Sequence, residues 1–278
     1  MDGKICMVTG ATDGMGKATA LALAVMGAHL IVVGRNAEKG AKVVREISLA
    51  CGHEMVDFLQ SDLSSQAELR VLAAKFNAEY PRLDVLVNNV GGVFEPRQET
   101  VDGIEYTWAL NQLSYFMLTN LLLDKLRASK AARIINVSSM GHRGRINFED
   151  IEMNRDYAIF DAYMQSKLAN IMFTYELDRR LSDCDATVNA LHPGWVGSSF
   201  GSTTGLLKRI LFFFARLSFM KSPVQGAETA IYLASSPEVE GISGKYFADR
   251  KAIRSSAESY EEENAKRLWD VCASMTGI

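Results

Sequence analysis

Tyr163-Met-Gln-Ser-Lys167 sets a phenol and an ammonium four residues apart, on one face of a helix. A phenol with an ordinary pKa of about 10 exchanges protons poorly at neutral pH. A fixed positive charge beside it favours the phenolate and lowers that pKa, which suits a tyrosine to general acid–base work. Ser138-Ser139 closes the apolar run Arg133-Ile-Ile-Asn-Val137. A hydroxyl there stands at the carboxyl end of a strand, where α/β folds bind ligands. It can donate to a carbonyl oxygen and hold it beside the phenol. Each feature alone has a plainer reading: a Tyr/Lys pair on a solvated helix, and serines that end a strand.

A second chemistry lies near the start. Thr9-Gly10-Ala11-Thr12-Asp13-Gly14-Met15-Gly16 follows the apolar run Ile5-Cys6-Met7-Val8 and precedes a helical stretch over 17–26. Strand, glycine-rich turn and helix in that order make a site for a nucleotide pyrophosphate. The helix N-terminus offers unpaired N–H groups and the positive end of its dipole. Glycines let the backbone approach the phosphates and let the helix pack on the strand. The next strand ends in Arg35-Asn36, about 20 positions past the glycines, where such folds meet the adenosine ribose. A guanidinium there pairs with a 2′-phosphate and stacks on adenine, so NADP is preferred over NAD. The alternative leaves Arg35 solvated and gives the ribose to Glu38.

Apolar, β-rich runs over 4–9, 29–34, 55–60, 85–88, 133–138, 187–191 and 244–247 must position these groups. Amphipathic segments near 15–25, 37–50, 65–79, 101–128, 162–182 and 223–235 lie between them. The alternation predicts a Rossmann-type, doubly wound α/β fold with a seven-stranded, mostly parallel sheet and helices on both faces. No linker or repeat interrupts it, so 1–278 reads as one domain. Two stretches break the pattern: 140–160 is polar and irregular, and 205–220 is apolar on nearly every face.

Composition excludes other classes. A net charge of −3 with scattered basic residues argues against a nucleic-acid partner. Cys6, Cys51, Cys184 and Cys272 form no CxxC pair, and the four histidines are equally scattered. Disulfides and a metal site are therefore not expected, and a reducing compartment is. The N-terminus runs directly into the first strand, and no stretch of ~20 apolar residues is present. The expected location is the cytoplasm, with peripheral membrane contact through 206–219 as one role for that segment.

Together these motifs resemble the short-chain dehydrogenase/reductase family over nearly the whole chain. The resemblance implies a cofactor cradle at Gly10, Thr12, Asp13, Gly14, Met15 and Gly16, from a Thr-Gly-x-x-x-Gly-x-Gly match. It places Asp62 and Leu63 at the adenine, and Asn89 and Gly91 in an Asn-Asn-Ala-Gly motif whose alanine is Val90 here. It makes Ser139, rather than Ser138, the catalytic serine, with Tyr163 as acid/base, Lys167 as its partner and Asn111 in the proton relay. Pro193, Gly194 and Val196 fall beside the nicotinamide, and Ser198 replaces a usual threonine. Within the family the likeness is strongest to retinol-dehydrogenase-like and WW-domain-oxidoreductase-like members. Gly34-Arg35-Asn36, the long Ser139-to-Tyr163 spacing, Ser243–Phe247 and Arg267-Leu-Trp-Asp270 carry it.

The implied function is an NADP-dependent interconversion of hydroxyl and carbonyl on a lipophilic molecule: a retinoid, a steroid, or a long-chain aldehyde or ketone. The alternative is an NADP(H)-binding regulatory protein with little turnover. The resemblance also implies a homodimer through the helices near 101–128 and 162–182, and a lid near 197–222. For 206–219, a lipophilic lid competes with a membrane-surface helix and with a plain dimer or core contact.

Overall fold

The computed structural model describes residues 1–196 and 220–278 of the chain. Eight strands form one sheet in the order β3-β2-β1-β4-β5-β6-β7-β8. They are β1 (Ile5–Thr9), β2 (His29–Gly34), β3 (Val56–Gln60), β4 (Val85–Asn88), β5 (Arg133–Val137), β6 (Thr187–Leu191), β7 (Lys245–Ala248) and β8 (Lys251–Ile253). The first seven run parallel, and Cys6 of β1 pairs with Leu30 on one side and Val85 on the other. Every residue of β1, β4 and β6 is buried, as a parallel sheet covered on both faces requires.

The seven expected strands are present, and β8 is added to them. It folds back antiparallel on β7 after Asp249 and Arg250, both at positive φ. All three of its residues are exposed, so it carries no burial pattern that a sequence reading could detect.

Helices α1 (Gly14–Val25), α2 (Ala37–Cys51) and α8 (Pro223–Ser235) cover one face. Their Leu23, Val43, Ile47 and Leu233 pack with Cys6, Val8 and Leu30 of the sheet. Helices α3 (Gln66–Glu79), α5 (Ser114–Leu121), α7 (Ile159–Arg180) and α9 (Glu262–Thr276) cover the other. There Leu72, Phe116, Leu168 and Leu268 meet Met7, Ile31 and Leu86. Alternation along β1 divides the two cores.

The helix expected over 101–128 is shorter and broken. It runs as α4 (Tyr106–Trp108), a π turn (Ala109–Leu113), α5 and α6 (Leu123–Arg127). Gly103 has φ +73°, and the Glu105 carboxylate accepts from the Thr107 and Trp108 amides at 2.7 and 2.6 Å, capping the start. Residues 140–158 are irregular, as expected. Gln165 of α7 ties that loop down, accepting from Asn147 N–H and donating to the Ile151 carbonyl.

Helix α9 was not expected from the sequence. Its Ala265, Leu268, Cys272 and Thr276 form a buried stripe. Trp269 meets the rings of Phe116 and Phe173 at 4.9 and 5.8 Å, with the Arg180 guanidinium 4.2 Å from its own ring. It therefore lies across α5 and α7, two of the helices through which the family resemblance implies pairing. The expected lid over 197–222 falls, for 197–219, outside the described residues, as do the segment 206–219 and Ser198.

Trp269→Ala is expected to lower unfolding free energy by about 2–3 kcal/mol, somewhat below the usual loss for a fully buried tryptophan. Urea denaturation measures it, and cofactor affinity should be unchanged.

Candidate active site

The carboxyl ends of β1, β4, β5 and β6 open into a cleft of about 220 Å³. Strand order reverses between β1 and β4, the switch point at which such sheets bind ligands. Gly10, Asp13, Gly14, Met15, Gly16, Asn89, Gly91, Ser139, Tyr163, Lys167, Pro193, Gly194 and Val196 all line the cleft. Sequence positions almost two hundred apart are thus brought into one wall system.

The glycine turn is built by close approach. Gly10 and Gly14 have φ of +64° and +55°, conformations that glycine adopts without strain. A Cβ on Gly16 would stand 2.4 Å from the Gly10 carbonyl oxygen and 2.5 Å from Asn89 Nδ2. Asn89 donates from Nδ2 to the Thr9 carbonyl at 2.8 Å, while Thr9 Oγ1 accepts from the Asn89 and Val90 amides. Helix α1 starts at Gly14 with Asp13 as its cap and no acidic side chain in its first turn. The result is a cradle of backbone N–H groups that fits a pyrophosphate.

Other expected cofactor residues lie outside the cleft walls, farther along the same edge. The Arg35 side chain is exposed beyond β2 and donates to the Tyr106 hydroxyl at 3.3 Å. Asn36 caps α2, accepting from the Lys39 amide at 2.8 Å. Asp62 accepts from the backbone and hydroxyl of Ser64. Leu63 buries its side chain in the core. The Thr12 methyl fills the space that a Cβ on Gly34 would need.

The two serines divide their work. Ser138 Oγ donates to the Lys167 carbonyl at 2.7 Å, so it fastens α7 to the sheet. Ser139 Oγ accepts from Gly141 N–H at 3.1 Å and is hydrogen-bonded to Tyr163. Lys167 Nζ is buried and donates to the Val137 carbonyl at 2.9 Å and to Asn170 Oδ1 at 3.2 Å. It lies 6.0 Å from the centre of the Tyr163 ring.

The charge balance differs from the sequence expectation. Burial raises the Tyr163 pKa, against the opposing effect of the Ser139 bond. Burial also lowers Lys167 to about 7. An ammonium this distant and this desolvated does not offset the loss of water around a phenolate. Tyr163 is therefore a protonated phenol at neutral pH.

Asn111 stands in the π turn, fully buried. Its Oδ1 accepts from Gly92 N–H, and its Nδ2 donates to the Gly92 carbonyl and to Ser166 Oγ. The group that joins Lys167 to this turn is Asn170, which donates to the Asn111 carbonyl at 2.8 Å and to Gln112 Oε1 at 2.9 Å. Sequence reading missed Ser166 and Asn170. Their signal was available, since positions 163, 166, 167 and 170 share one helix face.

The family model described as short chain dehydrogenase matches residues 4–205. Retinol dehydrogenase 14 of Mus musculus is 42% identical, with 100% of this chain and 87% of that protein covered. A crystal structure of an uncharacterized protein from Mycobacterium Paratuberculosis is 31% identical, with a TM-score of 0.80 over 99% of this chain and 94% of its own. A Pseudomonas aeruginosa RhlG/NADP active-site complex is 27% identical, with a TM-score of 0.71 over 89% of this chain and 94% of its own. The chain belongs to the short-chain dehydrogenase family. It is retinol-dehydrogenase-like, an NAD(P)-dependent oxidoreductase acting on CH–OH groups.

Among the described residues of this short-chain dehydrogenase, no helix is long and apolar enough to cross a membrane. None of their side chains form a cluster able to hold a metal ion.

Lys167 carries a stability signature. The unfolded chain binds more protons than the folded one between pH 7 and 10.5, so this group's penalty fades as pH rises through that window. The shift is equivalent to about 4–5 kcal/mol, from which the lost bonds to Val137 and Asn170 take back about 1–3 kcal/mol. Lys167→Met should accordingly raise unfolding free energy by about 1–3 kcal/mol at pH 7, and that gain should be gone or reversed near pH 9.5. Urea titrations at the two pH values measure the difference.

Proposed function

We propose that this enzyme is an NADPH-dependent carbonyl reductase acting on lipophilic aldehydes or ketones, with retinal as the first candidate. The observation that carries the reading is that Ser139, Tyr163 and the buried Lys167 line the same cleft as the α1 cradle. The naming of relatives as retinol dehydrogenases supports a retinoid-like substrate.

Gly10 to Gly16 would hold the cofactor pyrophosphate, Arg35 its 2′-phosphate, and Pro193, Gly194 and Val196 its nicotinamide end. When bound, the reduced nicotinamide supplies a hydride for the carbonyl carbon. Ser139 donates a hydrogen bond to the substrate oxygen and fixes it beside the phenol. Tyr163, kept protonated by burial, gives that oxygen its proton. Lys167 favours the tyrosinate that results, and Asn170 and the Val137 carbonyl hold the ammonium in line.

NADPH is preferred to NADH because Arg35 stands at the end of β2 with its side chain in solvent, and among the described residues no carboxylate pairs with it. A guanidinium so placed pairs with a phosphate.

Consumption of NADPH and NADH against retinal, steroid ketones and long-chain aldehydes tests the reading. Turnover with NADPH on a lipophilic carbonyl is expected, whereas tight NADPH binding without turnover on any of them would favour a regulatory protein. Tyr163→Phe should keep cofactor binding and lose about 10²–10⁴-fold in kcat. Arg35→Ser should lower kcat/KM for NADPH by roughly 10–100-fold, the scale of one charge-assisted hydrogen bond, and leave NADH unaffected.

A further inference from the structure

We propose that His142 is a positioning residue for Ser139, coupling that serine to the C-terminal segment around Ser256. The inference rests on the reading of Ser139 as the hydroxyl that holds the substrate carbonyl.

Ser139 lies just beyond β5, on an irregular turn where no strand ladder holds its carbonyl. Two buried side chains hold it instead. His142 Nδ1 lies 2.7 Å from the Ser139 oxygen, and the Tyr246 hydroxyl donates to it at 3.0 Å. The two rings meet edge-on at 4.9 Å, with Tyr246 only 1% exposed and His142 7%. On the far side of the imidazole, Nε2 faces the Ser256 amide at 3.1 Å. A backbone amide can only donate, so Nε2 carries the lone pair and Nδ1 the hydrogen. The tautomer that binds Ser139 is thus selected by the C-terminal segment.

That segment is tied back to the catalytic helix. Ser259 Oγ donates to the Ser256 carbonyl at 2.7 Å and meets Ser255 Oγ at 2.7 Å. Ser255 Oγ in turn lies 2.7 Å from the hydroxyl of Tyr175, which stands on α7 with Tyr163. The bonds run from the serine through His142 and the C-terminal turn to the helix that carries the phenol. Their closure fixes hydroxyl against phenol, where small misplacements cost large factors in rate.

Protonation would break the link, because an Nε2–H would face the Ser256 N–H. The charged and titratable groups around the ring are Tyr246 of β7, His192 after β6, Arg143 of its own loop, and Arg254 and Glu258 of the C-terminal segment. Among the described residues no carboxylate bonds to the ring. Burial, with Arg143 nearby, holds its pKa down against the pull of the Ser139 carbonyl. The ring therefore stays neutral until the medium is distinctly acid.

The test follows kcat for NADPH-dependent retinal reduction from roughly pH 5 to 9, a span chosen around the ordinary histidine pKa. His142→Phe keeps a ring against Tyr246 and removes the donor, so kcat should fall about tenfold with KM for NADPH unchanged. His142→Asn returns an amide nitrogen near the Nδ1 position, so most of kcat should return and the acid limb should vanish, although His192 is still present. Ser256→Pro deletes the amide hydrogen at a φ of −63° that suits proline. No Nε2 link is then left for protonation to break, and Nδ1–H still donates to Ser139, so the acid limb should be lost, while Ser256→Ala leaves it in place. A wild-type kcat in His142→Phe, or an acid limb that persists in His142→Asn, overturns the proposal. Histidine ring NMR reads the same coupling without turnover: His142 should titrate at higher pH in Ser256→Pro, and an unmoved titration also overturns it. An enzyme that ignores retinal yet shows the moved titration would fail the substrate reading alone.

Discussion

A reciprocal pair of hydrogen bonds joins the end of β5 to the middle of α7. Ser138 Oγ donates to the Lys167 carbonyl, and Lys167 Nζ donates to the Val137 carbonyl. The next residue on the strand side is Ser139, and one turn back on the helix is Tyr163. Both reacting side chains thus sit on a fastened junction. Because the junction is buried, neither bond has water as an alternative partner, and each is worth more than it would be on the surface. The rest of the fold serves to keep that junction dry and placed beside the α1 cradle.

Dryness has an electrostatic consequence. Loss of water disfavours both the Lys167 ammonium and the Tyr163 phenolate. The site therefore holds the phenol protonated, with a lysine poised near neutrality, the condition of a proton donor. Polar groups deeper in the core share the same need for partners. Asn88 Nδ2 donates to Asn136 Oδ1, and Asn136 Nδ2 to Thr174 Oγ1, which donates to the Asn170 carbonyl. This ladder crosses β4, β5 and α7 and ends at the residue that holds Lys167. Most of its buried polar atoms find partners within it, although Asn88 Oδ1 has none among the described residues.

The other side of the cleft is set by sterics. Gly16 packs against Gly10 and Asn89 at distances no side chain allows, so helix, turn and the end of β4 form one rigid unit. At the far end of the chain, α9 and the turn before it extend the fold beyond the sheet. Trp269 closes over α5 and α7, and Ser256 reaches the loop after Ser139. The C-terminus is thereby part of the architecture of the site.

Much of this was legible in the sequence. Strands buried on both faces read as continuous apolar runs, and helices as amphipathic ones, so seven strands and the α1 turn follow from local pattern alone. The residue types of Gly10, Gly14, Gly16, Ser139, Tyr163 and Lys167 likewise identify the chemistry, because few other side chains can do it. Other features depend on contacts between distant segments. Local pattern cannot reveal β8, whose three residues face solvent, or the break of the 101–128 helix into a π turn. Nor does spacing show that Ser138 clamps while Ser139 faces the phenol, or that Asn170 rather than Asn111 bonds Lys167. The direction of the Tyr163 pKa depends on burial in the same way. Sequence counts the charge on Lys167, but only the tertiary structure decides how much water remains around it.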